Sequence, residues 1–251
     1  MRVILLLAGL LMLAANDATA ADIKVLTAGA YKQVILALQP DFEKQTGNRL
    51  IVDNGTTGQL VKRIEGGEAF DVVVAPPKTI DELSQKGKVA AGSRVLLARV
   101  GIGVVVKEGA PKPDITTVEA FKKALLSAKS VAYIDPASGG SSGIYLAGLF
   151  EKLGIANDLK PKAKLINGGY VAEHIAKGEA EIGIHQISEI VPVRGVILVG
   201  PLPDQIQNYT VYAAGLGANA QAKDAAAALI KTLSGPAAAP ILKSRGMAPA
   251  A

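Results

Sequence analysis

The chain of 251 residues contains no cysteine, no tryptophan and only two histidines. Without cysteine there can be no disulfide, thiolate zinc site, iron–sulfur cluster, cysteine nucleophile or thioether lipid anchor. Two histidines, His174 and His185, are too few for a multi-histidine metal site within one chain. Aromatic residues make up only 4% of the sequence, too few for a platform that stacks single-stranded nucleic acid. The net charge of +5 favours an anionic partner, but the excess is mild. The basic residues are dispersed, with no run longer than pairs such as Lys122-Lys123. No nucleic-acid partner, metal or cofactor is therefore expected.

What the chain does have is apolar content. At 49% hydrophobic residues it can build a real core and is not disordered in composition. Its length suits one large domain or two small ones. Arg2 precedes a 13-residue apolar run, Val3–Ala15, shorter than the roughly 20 residues needed to span a bilayer. Ala18-Thr19-Ala20 then supplies the small-x-small pattern that a signal peptidase recognises. Residues 1–20 read as a cleaved export signal, which implies a soluble periplasmic protein starting at Ala21.

The remainder alternates strand-like and helix-like segments. Tyr31–Gln45 carries Val34, Ile35, Leu38 and Phe42 on one helical face. Asp71–Ala75 reads as a buried strand with Val72, Val73 and Val74 in a row, the pattern of a parallel strand covered on both faces. Thr116 and Glu119 have the spacing of a capping box opening a helix to Ala128. Val95–Val106 is longer than an ordinary strand, and Tyr209–Ala214 reads as a second long β segment. The expected architecture is α/β: two Rossmann-like lobes with mainly parallel sheets, joined by two β crossings. Residues 22–100 with 208–251 would form one lobe, and residues 101–207 the other.

In open α/β sheets, ligands sit beyond the carboxyl ends of strands, against helix N-termini. Four such turns are rich in glycine and hydroxyl residues: Gly29-Ala30-Tyr31, Thr56-Thr57-Gly58, Ser138–Gly143 with Ser141 and Ser142, and Gly168-Gly169-Tyr170. None carries lysine or arginine, so an anion there would be held by neutral dipoles.

Several pieces of the sequence resemble one family. These are Asn54-Gly55-Thr56-Thr57-Gly58-Gln59-Leu60, Asp71-Val72-Val73-Val74-Ala75, Asp135-Pro136 with Ser142-Gly143-Ile144-Tyr145, Gly178–Ile184, and Leu233-Ser234-Gly235-Pro236. In this order they resemble the molybdate-binding-protein-like solute receptors of ABC importers, which have the type II periplasmic binding fold. The resemblance covers nearly the whole chain after residue 20. It implies a monomeric two-lobed receptor that closes on a small anion and delivers it to ABC transporter membrane subunits. It places ligand contacts at Ala30, Thr57, Ser142, Gly168 and Gln186, with His185 beside the last. Ala30 stands where the family has a serine, and Gln186 where it has a tyrosine. A small organic carboxylate is therefore expected as readily as molybdate or tungstate.

Two other readings remain open. Gly139-Gly140-Ser141-Ser142-Gly143 matches the G-x-S-x-G nucleophile elbow of a secreted α/β serine hydrolase. A receptor of this kind can also feed a sensor kinase instead of a transporter. The receptor reading involves no catalytic residue and no enzyme activity.

Overall fold

The computed structural model describes residues 20–250. The expected export signal lies outside them except for Ala20. In chain order, β1 (Asp22–Ala28) leads into α1 (Gly29–Thr46), β2 (Arg49–Gly55) into α2 (Thr57–Glu65), and β3 (Val72–Ala75) into α3 (Pro77–Gln85). The long β4 (Val95–Lys107) follows, then α4 (Val118–Ser127) and β5 (Val131–Ile134). Next come α5 (Ser141–Lys152), α6 (Ala156–Leu159), β6 (Ala163–Ile166) and α7 (Val171–Ala176). The chain continues through β7 (Ile182–Gln186), α8 (Ile187–Ile190), β8 (Val196–Pro201) and β9 (Tyr209–Leu216). It closes with α9 (Lys223–Ser234), α10 (Ala238–Ser244) and β10 (Met247–Pro249).

The strands run in the order β2-β1-β3-β9-β4-β7-β5-β6, with β8 and β10 also pairing to β4. Pairing is parallel within β2-β1-β3 and within β7-β5-β6. It is antiparallel wherever β4 or β9 joins them. The apolar run of β3 explains itself by its two covered faces. Val72 and Val74 pack with α1 and α9, while Val73 and Ala75 pack with α2 and α3. The strand period of two sends successive side chains into different cores. β4 does the same further on, with Val104 and Val106 in one cluster and Val105 in another.

β4 belongs to both halves of the sheet. Val95–Gly101 pair with β9, and Ile102–Val106 pair with β7. β9 itself stays on the β3 side, so the second crossing is not a long strand. It is the short connection before β9. There Gln207 clamps Ile102: its Oε1 accepts from the Ile102 N–H at 2.8 Å, and its Nε2 donates to the Ile102 carbonyl at 2.9 Å. The start of α4 also differs from expectation. Thr117, not Thr116, is the cap, its hydroxyl accepting from Ala120 N–H at 3.1 Å. Thr116 is drawn away because its N–H and hydroxyl both bond Asp114.

Candidate functional site

Four strand ends open on one cavity. β1 passes directly into α1 at Ala28-Gly29, and β2 into α2 at Gly55–Thr57. β5 reaches α5 through the Pro136–Ser138 turn and Gly139-Gly140, and β7 passes into α8 at Gln186. The N-caps of α1 and α5, Ala28 and Gly140, provide no side-chain cap. The first N–H groups of both helices are therefore left for a ligand, with the positive end of each helix dipole behind them. At α2 the reverse holds. Thr56 accepts from Gln59 N–H and its hydroxyl donates to the Ser138 carbonyl, so Thr57 carries the hydroxyl left for the cavity.

The glycines after β5 are there for packing. A Cβ at Gly140 would meet Ile134 Cγ2 at 2.6 Å, and one at Gly143 would collide with the Ile134 carbonyl. That close approach accounts for the G-x-S-x-G spelling. Ser141 starts α5 and does not sit on an elbow directly after a strand. Its Oγ accepts from Gln186 Nε2 at 3.3 Å and from Thr210 Oγ1 at 3.5 Å, neither of which is a general base. His174 bonds Glu179 instead. The hydrolase reading has no support in this geometry.

The back wall is buried and polar. Gln186 is 1% exposed and donates to Thr210 Oγ1 at 2.8 Å, which ties the end of β7 to the start of β9. Its Oε1 has no partner, and neither does Nδ1 of His185, which is 2% exposed. His185 Nε2 lies 3.3 Å from Glu189 Oε2. Glu189 also reaches α1, where a Cβ at Gly29 would collide with its Oε1. Tyr212 completes the wall. No lysine or arginine lines the cavity.

Of the expected residues, Gly29, Ala30, Thr56 and Thr57 line the cavity on the α1–α2 side. Ser141, Ser142, Gly169, His185 and Gln186 line it on the other. Four do not. Tyr31 is fully buried and its hydroxyl donates to the Leu233 carbonyl at 3.0 Å. It belongs to the same helical stripe as Val34, Ile35, Leu38 and Phe42, which faces the core. The Tyr170 hydroxyl accepts from Gln33 Nε2 at 3.1 Å, outside the cavity. Gly168 lies against the Gln59 amide, and Gly58 packs on Gly139. The sequence reasoning passed over Glu189 and Tyr212. The signal for Glu189 was present as a carboxylate four residues after His185, flanked by Ile187, Ile190 and Val191.

The cavity is small, about 30 Å³. Gly58 N–H donates to the Gly139 carbonyl at 3.2 Å. Gln59 Nε2 donates to the Asn167 carbonyl at 2.8 Å. These bonds, with that of Gln33 to Tyr170, link the α1–α2 side of the cavity to the other side.

Burial governs the titration of the back wall. It pushes the Glu189 carboxyl up to about 8 and the His185 imidazole down to about 3. Burial, with the Glu189 charge adding to it, also raises the Tyr212 hydroxyl, against a smaller opposing contribution from Ser141. The signs for folding stability follow by linkage. Glu189 contributes stability that is fully present below its ordinary value of 4.5 and is lost as pH rises through about 8. His185 contributes stability present above its ordinary 6.5 and lost as pH falls through about 3. Thermal melts between pH 5 and pH 9 should show Glu189→Gln gaining on the wild type as pH rises. Parallel curves would mean that the Glu189 carboxyl is not held neutral by the fold.

Comparison with known proteins places this geometry. A family model described as bacterial extracellular solute-binding protein matches residues 23–248. The chain is 37% identical to the aconitate isomerase of a Pseudomonas species, across 98% of this chain and 94% of that protein. It is 29% identical to the molybdate-binding protein ModA of Azotobacter vinelandii, across 97% of this chain and 95% of that one. The solved periplasmic molybdate-binding protein of Azotobacter vinelandii has the same fold, with a TM-score of 0.72 at 23% identity. That match covers 90% of this chain and 98% of that one.

Proposed function

Because the chain belongs to the bacterial extracellular solute-binding proteins, we propose that it is a periplasmic receptor that closes on a small organic carboxylate. The observation that carries this reading is the back wall. It combines an unpartnered Gln186 Oε1 with the Glu189 carboxyl, and no cation lines the cavity. A divalent tetrahedral oxyanion offers only acceptors, so it would leave Gln186 Oε1 without a donor and set its charge against that oxygen in a buried, low-dielectric site. An organic acid divides the task. Its carboxylates take the free N–H groups of α1 and α5 and the Thr57 hydroxyl, while its carbon skeleton or a hydroxyl faces Gln186 and Glu189. The absence of a hydroxyl at Ala30 agrees with this.

The relative named for aconitate supports the same class, since aconitate is an unsaturated tricarboxylate. Opening for entry would be a hinge motion about Ile102 and its Gln207 clamp. Residues 22–100 with 208–251 would move against residues 101–207. Delivery would be to the membrane subunits of an ABC importer.

The test is a thermal-shift and calorimetric panel of citrate, cis-aconitate, trans-aconitate, molybdate, tungstate and sulfate. A carboxylate should raise the Tm, by about 2.7 kcal/mol of added stability at a hundred times its Kd. Tight binding of molybdate or tungstate with no carboxylate response would assign the cleft to oxyanions instead.

A second reading is that the chain also turns over what it binds. It is favoured by a buried carboxyl group facing the cavity, which a passive receptor for anions does not need. The name of the 37% identical relative agrees with it.

A further inference from the structure

We infer that Glu189 is the group that carries a proton between two carbons of an unsaturated carboxylate held in this cleft. The inference rests on the turnover reading and assigns it an atom. Among the residues lining the cavity, Glu189 is the one carboxyl group. It is placed from two sides: its Oε2 lies 3.3 Å from His185 Nε2, and its Oε1 abuts Gly29 at the start of α1. Any side chain at position 29 would collide with that oxygen, so the glycine is what lets the carboxyl group reach the helix N-terminus. A ligand carboxylate bound to the free N–H groups of α1 would bring its own α-carbon close to Glu189. The other base within reach, His185, is turned to Glu189 through Nε2 and is buried in its neutral form. Glu189 titrates near the working range of an acid–base catalyst, so it can both take and return a proton.

The step balances within the ligand and Glu189. The ionised carboxylate of Glu189 removes a proton from the methylene carbon next to the double bond. The C–H electron pair becomes a new C=C bond, and the old double-bond pair moves into the conjugated carboxylate. That pair then takes the proton back from Glu189 at the former vinyl carbon. Nothing is oxidised or reduced, and no co-reactant is consumed. In a symmetric skeleton such as aconitate the shift exchanges the roles of the CH2 and CH carbons. The product can therefore have either geometry without rotation about a double bond. The developing negative charge falls on the carboxylate held at the α1 and α5 N-termini, where neutral donors are already in place.

The test follows cis- and trans-aconitate carrying deuterium on the methylene carbon, by proton NMR, with the wild-type chain. Binding of the same compounds is measured by calorimetry in parallel. Interconversion of the isomers, with deuterium leaving the methylene carbon, is the expected result. Glu189→Gln, which keeps shape and burial, should bind within a few-fold of wild type and lose interconversion by a hundredfold or more. Glu189→Asp, which keeps the carboxyl group but retracts it, should lie between the two. Binding without interconversion would overturn this inference and the turnover reading, and leave the receptor standing. Interconversion with the label fully retained on its carbon, or at an undiminished rate in Glu189→Gln, would overturn the role of Glu189 alone. An absence of carboxylate binding would overturn the receptor reading itself.

Discussion

Replacing Gly58 by alanine should hold the cleft open and weaken ligand binding tenfold or more, about 1.4 kcal/mol at least. Gly58 is the second residue of α2, and a Cβ there would meet both Gly139 Cα and the Ser138 carbonyl at 2.8 Å. Both obstacles are backbone atoms across the cleft, so no side-chain rotation relieves the contact. The reciprocal position is equally tight, since a Cβ at Gly139 would meet Gly58 Cα at 2.6 Å. The substitution suits the helix itself, where alanine is favoured over glycine by up to about 1 kcal/mol. The ligand-free Tm should therefore hold or rise slightly while affinity falls. Solution scattering should also show less compaction on adding ligand. Gly148→Ala is the control, because nothing lies within 4 Å of its Cβ position. If Gly58→Ala binds and compacts like the control, the Gly58–Gly139 contact is not part of closure.

Asp71→Ala should give the largest stability loss on the β1–β3 side, about 3–5 kcal/mol, or about 10 °C in Tm for a chain of this size. Asp71 is buried just before β3, and its carboxylate accepts from three backbone N–H groups. These are Lys24 at 2.8 Å, Gln221 at 2.7 Å and Ala222 at 3.1 Å. Its own N–H donates to the Lys24 carbonyl, and its carbonyl accepts from Gly217 N–H, each at 2.8 Å. One side chain therefore joins the first strand to the segment that starts α9. Alanine would leave three donors without partners, at the full cost of their desolvation. Asp22→Ala removes an exposed carboxylate paired with Arg49 and should leave the Tm within error, since exposed pairs contribute little. Equal melting of the two variants would show that the carboxylate of Asp71 is not what holds these segments together.

Much of this architecture was legible residue by residue, for local reasons. The Val72–Ala75 run announced a strand covered on both faces because a period of two cannot hide four consecutive apolar side chains any other way. The glycine- and hydroxyl-rich turns announced helix starts that face a cavity, because free N–H groups and small residues go together there. Even Tyr31 was readable as core, since it lies three and four residues before Val34 and Ile35 on one helical stripe.

Glu189 was of a different kind. Its four-residue offset from His185 straddles the junction of β7 and α8, where neither strand nor helix periodicity applies. Whether its carboxyl group met solvent or Gly29 depended on how α8 folds back against α1, a contact between segments about 160 residues apart. The same holds for the second crossing between the halves of the sheet. β9 read as a crossing strand by length, but register assigns it to the β3 side and gives the crossing to Gln207. The sequence determined the elements, their covered faces and most of the turns that line the cavity, because propensity, period and capping act over a few residues. The back wall of the cleft, the contacts across it and the position of its one carboxyl group were decided by tertiary packing, because each depends on distant backbones approaching to within a Cβ of one another.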